Sequence, residues 1–322
     1  MLLSDTRVQF FGGKGGVGKT TLAAACALAA ADTDRRTLLV STDPAHSTSD
    51  VLESPLGPEP RPVARSLWAM EIDPTVEADR YVADVKARIQ DTTPPRLWRE
   101  VERQIDVARV SPGAQEAALF ERVARILETD AATYERLIFD TAPTGQTLQL
   151  LSLPEMMQAW VAGLIGRRRK LNAAASLWRG KSGPARGGGD GRSSDPVLVA
   201  LQARQERFVR ARTLLTDAST TAFHFVVLPE RLPILETERA VAALDRYRIP
   251  VGSVLVNRVL PSHAQGAFLS RRRARQQEYL AEIGSSFPHH PVFHVPLQER
   301  DVVGLPALRA LMATIQPAPP ES

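Results

Sequence analysis

The chain has 322 residues, of which 43% are hydrophobic, so it can bury a core and is long enough for one large α/β domain or for a core with an inserted subdomain. Its formal net charge of +4 is a small excess that does not indicate a nucleic-acid partner, and none is expected. Its one cysteine, Cys26, excludes a disulfide framework, an iron–sulfur cluster and a cysteine-rich metal site within the chain, which fits a reducing, cytoplasmic compartment.

Short apolar runs alternate with longer amphipathic runs along the chain, which is typical of β-α-β units and a parallel sheet. The predicted core strands, in chain order, are residues 8–11, 37–42, 136–141, 222–228, 251–257 and 292–295. Several strands end in polar residues, and ligands of open α/β sheets bind outside the carboxyl ends of the strands. The pattern therefore predicts an α/β fold in which a parallel sheet is flanked by helices.

A glycine-rich loop follows the first predicted strand, where residues 10–21 read FFGGKGGVGKTT before an Ala-rich helix. Glycines let backbone N–H groups converge on phosphate oxygens, and the helix directs its positive end at the same anion. In such a loop Lys19 binds the β- and γ-phosphates, Thr20 binds Mg²⁺ and Thr21 contacts the α-phosphate. The residues predicted to bind the nucleotide here are Gly13, Lys14, Gly15, Gly16, Val17, Gly18, Lys19, Thr20 and Thr21.

Two stretches exceed what a minimal nucleotide domain needs, namely residues 74–130 and 153–217. Both read as helices, with breaks at the Pro and Gly pairs of 94–95 and 112–113. We predict that they form one helical subdomain assembled from two insertions, in which the Gly/Ser/Arg-rich segment 179–194 is mobile. The α/β core then comprises residues 1–73, 131–152 and 218–316, and the Pro-rich tail 317–322 is expected to be frayed.

Polar residues at three strand ends complete the predicted site. Asp43 is placed to orient and polarise the attacking water, and Asp140 to act as the carboxylate that holds Mg²⁺. Magnesium is therefore assigned to Thr20, Asp43 and Asp140, partly through water. The side-chain amide of Asn257 can both donate to and accept from the adenine edge.

Two further segments identify the family. Residues 41–47 read STDPAHS and residues 139–145 read FDTAPTG. Together with the glycine-rich loop they resemble the ArsA/GET family of deviant P-loop ATPases, which comprises arsenical-pump ATPases and the ATPases that deliver tail-anchored membrane proteins. The resemblance extends over nearly the whole chain, through LPE at 228–230, LETER at 235–239, VN at 256–257 and VPL at 295–297. It implies a P-loop fold, Mg-ATP hydrolysis and a homodimer.

The resemblance also implies roles for individual residues. A lysine within the glycine run, here Lys14, marks the deviant P-loop ATPases and reaches the nucleotide of the facing subunit. It would act like an arginine finger, so the predicted catalytic residues are Lys14, Lys19 and Asp43. The loop at Pro296 closes around the base, and residues 143–145 form a second switch that senses the γ-phosphate.

Three residues near the predicted site keep two interpretations. His46 is either catalytic or a structural residue that orients the switch loop. Glu236 and Glu238 either contact the partner subunit and its nucleotide or are solvated charges on a helix.

The chain departs from the family in three places. Family members that bind zinc at the dimer interface have a C-x-x-C motif where residues 266–275 read GAFLSRRRAR, so no zinc is expected. Arsenic and antimony bind soft thiolates, usually three, and Cys26 alone cannot form such a site. Gln146 stands where the family commonly has histidine after the second switch.

Three functions are compatible with these motifs. A dimer could handle a hydrophobic membrane-protein client in an apolar groove, whose predicted residues are Met156, Met157, Trp160 and Leu164, although this helix could equally be core. It could instead drive an arsenite pump in the membrane. The third candidate is partitioning on DNA or a membrane, which the switch segments oppose. We predict client handling and a cytoplasmic protein that reaches the membrane through a partner, because no secretory signal or membrane-spanning run is found.

Overall fold

The structure is a computed structural model that describes residues 4–43, 47–90, 98–99, 102–103, 114–129, 133–141 and 196–319. Within these ranges nine strands form one sheet. The strands are β1 (Val8–Gly12), β2 (Thr37–Ser41), β3 (Arg61–Ala64), β4 (Leu67–Glu71), β5 (Arg136–Asp140), β6 (Thr221–Val227), β7 (Val251–Val259), β8 (Val292–Pro296) and β9 (Gln316–Pro317). The helices are α1 (Lys19–Ala31), α2 (Ser47–Leu52), α3 (Pro74–Gln90), α4 (Ala114–Thr129), α5 (Pro196–Thr216), α6 (Arg231–Tyr247), α7 (Ala267–Ser286) and α8 (Gly304–Thr314).

The sheet order is β3-β4-β2-β5-β1-β6-β7-β8-β9. The seven inner strands run parallel, whereas β3 pairs with β4 and β9 pairs with β8 in antiparallel orientation. The predicted α/β fold with a helix-flanked sheet is confirmed, with the correction that the sheet is mixed at its edges. Parallel pairing aligns the carboxyl ends of β2, β5 and β1 at one edge, where ligands of such sheets bind.

Alternate residues of the inner strands face two separate hydrophobic layers, as the two-residue period of a strand requires. In β1, Phe10 packs in a core with α4, α5, α6 and α7, while Phe11 packs in a second core with α1 and α8. Both side chains are almost completely buried. Because each face is covered, the strands read as continuous apolar runs in the sequence.

Helices α3, α4 and α5 belong to the stretches that we assign to a helical subdomain, and α4 packs against both of the others. Phe120 of α4 stacks near Phe208 of α5, with ring centroids 5.2 Å apart. Arg207 joins the same two helices by donating to Glu121 at 2.5 Å and to Glu128 at 2.8 Å. Phe120 and Phe208 also pack in the core beneath the sheet, so this end of the helices is continuous with the α/β core. The domain boundaries themselves stay a prediction.

All six predicted strands are present within one or two residues of their expected ends, but β3, β4 and β9 were not predicted. Strand β4 reads LWAME, which has no β-branched residue, and it forms because it pairs with β2 along its whole length. The expectation of a frayed tail is not met at its start, since Gln316 and Pro317 pair with β8 and the backbone N–H of Ala318 donates to Val292. An edge strand tolerates this proline because a missing N–H matters least there.

His224 provides a prediction about pH and stability. It is fully buried in β6, with its Nδ1 2.8 Å from Ser253 Oγ, and burial lowers its pKa to about 4. The unfolded chain, with a histidine pKa of about 6.5, binds more protons between these two values. The contribution of His224 to the free energy of unfolding should therefore fall by about 3 kcal/mol as the pH drops from about 6.5 to about 4. We expect His224→Asn to remove most of this dependence in urea unfolding measured at several pH values.

The matched control for this prediction is Ser253→Ala, which removes the partner of the ring and keeps the imidazole buried. It should lower the free energy of unfolding while retaining the dependence on pH. Equal slopes against pH in wild type and His224→Asn would show that His224 does not stay neutral in the folded protein.

Candidate active site

The predicted site residues meet at the carboxyl edge of the three central strands. Asp140 at the end of β5 is in register with Phe11 of β1 on one side and with Ser41 of β2 on the other. The glycine-rich loop leaves β1 at this edge, and Asp43 follows the end of β2. The sheet order therefore brings together two carboxylates and a phosphate loop that are separated by about a hundred residues of sequence.

Two glycines of the loop between β1 and α1 combine a positive φ with a close contact to another strand. Gly13 has a φ of +146°, and a Cβ there would lie 2.3 Å from the carbonyl oxygen of Val226. Gly18 has a φ of +96°, and a Cβ there would lie 2.4 Å from Nδ2 of Asn257. Both contacts are shorter than any side chain tolerates, so β6 and β7 fix the path of the loop from outside.

The concave side of the loop is open, as a phosphate site requires. A Cβ on Gly15 or Gly16 would meet nothing within 4 Å in the described part of the chain. Helix α1 begins directly after Gly18, with no side-chain cap and no acidic residue in its first turn. Its first backbone N–H groups and its positive end are therefore available to an anion, which fits the phosphates of a nucleotide.

Lys19 is the first residue of α1 and is 5% exposed. Its Nζ donates to the backbone carbonyl oxygen of Lys14 at 3.2 Å, which directs the ammonium across the loop. Burial lowers the pKa of Lys19, and the nearby carboxylates of Asp140 and Asp43 partly offset this effect. The site thus combines the positive charge of one buried lysine with two nearby carboxylates.

Asp140 and Thr20 fit a magnesium ion. Asp140 is fully buried, and neither of its carboxylate oxygens has a hydrogen-bond partner among the residues that the structure describes. Burial raises the pKa of Asp140 to about 7, an effect that the nearby Thr20 hydroxyl, the charge of Lys19 and the Thr48 hydroxyl oppose. A buried carboxylate that no close hydrogen bond satisfies is costly unless a cation meets it, and Mg²⁺ prefers oxygen ligands.

The first turn of α2 closes the site on the side of Asp43. Asp43 is half-buried, and its backbone N–H lies 3.4 Å from Ser41 Oγ. Ser47 Oγ is 3.1 Å from the hydroxyl of Thr20, and Thr48 is fully buried. Ser47 belongs to the motif at 41–47, but no role was predicted for it or for Thr48. Three consecutive hydroxyl residues at 47–49, which begin four residues after the strand-end aspartate, are the signal that could have found them.

Lys14, in the middle of the loop, forms an ion pair with a residue of α6. Its Nζ pairs with Oε1 of Glu236 in α6 at 2.9 Å, and the two side chains are 39% and 43% exposed. An ion pair this exposed contributes only about 0.2–1 kcal/mol. Glu236, which the sequence left as either a partner contact or a solvated charge, thus forms an ion pair with Lys14 of the same chain.

A family model described as an anion-transporting ATPase matches residues 6–317. The chain belongs to this family. The motif-based assignment to the ArsA/GET group is therefore confirmed, as is the prediction of an ATPase with a P-loop α/β fold.

Three relatives of this ATPase align with nearly the whole of this chain and with 79–97% of their own length. The arsenical pump-driving ATPase 2 of Aquifex aeolicus is 34% identical over 303 residues, which are 94% of this chain and 97% of that protein. The ATPase ASNA1 homolog 1 of Paramecium tetraurelia is 31% identical over 303 residues, with 93% and 89% covered. The ATPase GET3B of Arabidopsis thaliana is 32% identical over 336 aligned positions, with 96% and 79% covered.

Asn257 and Pro296, which were predicted to contact the nucleotide base, make different contacts in this ATPase. The amide of Asn257 is used within the protein, because Nδ2 donates to the carbonyl oxygen of Val17 at 2.7 Å and Oδ1 accepts from the backbone N–H of Arg258 at 2.8 Å. It therefore holds the phosphate loop through Val17. Pro296 ends β8, and its carbonyl oxygen accepts from Gln298 at 2.9 Å. Adenine recognition by either residue stays a prediction.

Several residues singled out in the sequence of this ATPase lie outside the described ranges. They are His46, the second switch at 143–145, Gln146, Met156, Met157, Trp160 and Leu164. The mobile segment predicted at 179–194 lies outside them as well. Within the ranges that are described, none of the helices is long and apolar enough to cross a membrane.

Proposed function

We propose that this ATPase hydrolyses Mg-ATP as a homodimer and couples the nucleotide cycle to the capture and release of a hydrophobic segment of a membrane-protein client. Backbone N–H groups of the loop and Lys19 hold the phosphates. Asp43 accepts a hydrogen bond from the attacking water and aligns it with the γ-phosphate. Thr20 and Asp140 would hold Mg²⁺, and the ion would supply positive charge to the phosphoryl oxygens.

Lys14 acts in trans in this scheme. To reach the nucleotide of the facing protomer it must leave Glu236, and the exposed pair holds it by only about 0.2–1 kcal/mol. Contact with a triphosphate easily exceeds such a small energy. Pairing with Glu236 therefore holds Lys14 before the dimer forms and does not prevent its formation. The proposed dimer carries no zinc and no iron–sulfur cluster, and both absences stay predictions.

The environment of Cys26 supports client handling over an arsenite pump. Cys26 is buried in α1, its Sγ lies 3.9 Å from Sδ of Met312 in α8, and burial raises its pKa to about 12. It is thus a protonated core thiol at neutral pH, whereas metalloid ions bind exposed thiolates, usually three. The name of the Aquifex relative favours the pump, but the chemistry of the single thiol opposes it.

The proposal of client handling rests on residues 156–165. They are predicted to form a helix that is apolar on nearly all sides. We expect Trp160→Asp with Leu164→Asp to abolish co-purification of a transmembrane peptide, because charges in an apolar groove carry a desolvation penalty of several kcal/mol. Steady-state ATP hydrolysis without peptide should stay near the wild-type rate, since the nucleotide site lies at the strand ends. Arsenite and antimonite should not stimulate hydrolysis in wild type or in Cys26→Ser.

Val303→Asp is the matched control for this experiment. Val303 is an exposed apolar residue at the N-cap of α8, where aspartate is well tolerated. It should retain peptide capture. Saturable stimulation by arsenite that disappears in Cys26→Ser would contradict the client and restore the pump, and misfolding of the Trp160 and Leu164 variant would mark that helix as core and remove the groove.

A further inference from the structure

A buried glutamate that no motif includes lies two strands away from Asp140, at the same end of the sheet. Glu71 is the last residue of β4, is 7% exposed, and is in parallel register with Ser41 at the end of β2. Its backbone is held on both sides, because its N–H donates to Gly57 and the next N–H, of Ile72, donates to Ser41, each at 2.9 Å. The side chain therefore projects from a fixed point of the sheet.

Both carboxylate oxygens of Glu71 accept hydrogen bonds from one residue of α2. The backbone N–H of Ser49 donates to Oε1 at 2.9 Å, and the hydroxyl of Ser49 donates to Oε2 at 2.8 Å. The same hydroxyl accepts from the backbone N–H of Leu56 at 3.2 Å. Two bonds from one carboxylate to one residue fix the orientation of the helix as well as its position, and bonds to a charged acceptor are the stronger kind.

Helix α2 has six residues, too few to hold its conformation without tertiary contacts. Its first two residues face the metal site, since Ser47 contacts the hydroxyl of Thr20 at 3.1 Å and the Thr48 hydroxyl lies near Asp140. Its third residue, Ser49, is the one that Glu71 holds. Because all three lie in one turn, displacing Ser49 displaces Ser47 and Thr48 with it.

We propose that Glu71 is a positioning residue of the ATPase reaction, which acts through Ser49 to hold the first turn of α2 against the magnesium site. Loss of its two hydrogen bonds lets that turn move and loosens the shell around Thr20 and Asp140. The inference rests on the proposed magnesium site and is independent of the client, so failure of client handling leaves it unaffected.

The test compares Glu71→Gln and Ser49→Ala with wild type by two readouts. The first is hydrogen–deuterium exchange of residues 47–52 without nucleotide, which reports the Ser49 amide directly. The second is the ATPase rate against Mg²⁺ concentration at saturating ATP. Since a hydrogen bond to a charged group changes an equilibrium or rate by about tenfold or more, Glu71→Gln should exchange faster, lose about tenfold in kcat and need several-fold more Mg²⁺. KM for ATP should change by less than about twofold, because the phosphate loop is intact.

Two further variants make the outcome decisive. Ser49→Thr keeps the hydroxyl and should have exchange rates and a kcat close to those of wild type. Ser49→Ala should give values between those of wild type and of Glu71→Gln. Glu77→Gln removes another buried carboxylate, paired with Arg80 on α3 away from α2, and should leave the Mg²⁺ dependence unchanged. If Glu71→Gln and Ser49→Ala speed exchange at 47–52 but retain wild-type kcat and Mg²⁺ dependence, the role is structural only and the proposal fails. Unchanged exchange in Ser49→Ala would overturn it even if Glu71→Gln did not fold.

Discussion

Replacing Lys14 with alanine is expected to lower ATP turnover by about a thousandfold while leaving ADP affinity nearly unchanged. A cationic finger that reaches the transferring phosphoryl group contributes about 10³- to 10⁵-fold to turnover in P-loop enzymes. Binding should survive because Lys19 donates to the backbone carbonyl oxygen of Lys14, which alanine retains. The measurement is steady-state hydrolysis beside calorimetric ADP binding.

Glu236→Gln is the matched control for Lys14→Ala. It removes the in-protomer partner of Lys14 and keeps the lysine, so hydrolysis should be equal to or higher than that of wild type. If Lys14 acts in trans, the specific activity of wild type should also fall on dilution below the dissociation constant of the dimer. Activity that does not depend on concentration in a proven monomer would exclude the role in trans.

Replacing Asp43 with asparagine is expected to lower kcat by about 10²- to 10⁴-fold with a smaller change in KM. A carboxylate that positions and polarises water acts mainly in the transition state, and such losses appear in kcat. Asparagine has nearly the same shape, so the loop should keep its path and ATP should remain trapped in a closed dimer. Single-turnover kinetics together with size-exclusion chromatography in ATP would measure both effects.

Asp50→Asn serves as the control for Asp43→Asn, because Asp50 is an exposed acid in the same segment, on α2. It should hydrolyse ATP at close to the wild-type rate. A near-normal kcat in Asp43→Asn would move the water-positioning role to another residue, such as one in the second switch.

The architecture and the glycine-rich loop were predictable from the sequence because they are local patterns. A glycine run between an apolar strand and an Ala-rich helix specifies a phosphate loop wherever it occurs, and Gly13 and Gly18 indeed have backbone angles that favour glycine. Strands buried on both faces read as apolar runs, so all six predicted strands are found. Asp43 and Asp140 were placed by their position at strand ends.

Contacts between distant residues were decided only by the tertiary structure. Pairing of Lys14 with Glu236, of Asn257 with Val17, and of Glu71 with Ser49 depends on which strands are neighbours and on where each loop folds back. The sequence marks Asn257 as an amide at a strand end, but only the adjacency of β7 to the phosphate loop directs that amide to Val17.

Strand β4 shows most clearly what could not be predicted from the sequence. Its own residues have little intrinsic preference for a strand, and it forms because β2 offers a full row of backbone hydrogen bonds. Since that strand was not predicted, Glu71 at its end could not be recognised as a neighbour of the metal site. Local patterns of the sequence were enough to predict the phosphate loop, the acidic residues at the strand ends and the class of fold. The order of the strands in the sheet decided which side chains meet, because pairing energy is shared between segments that are far apart in the chain.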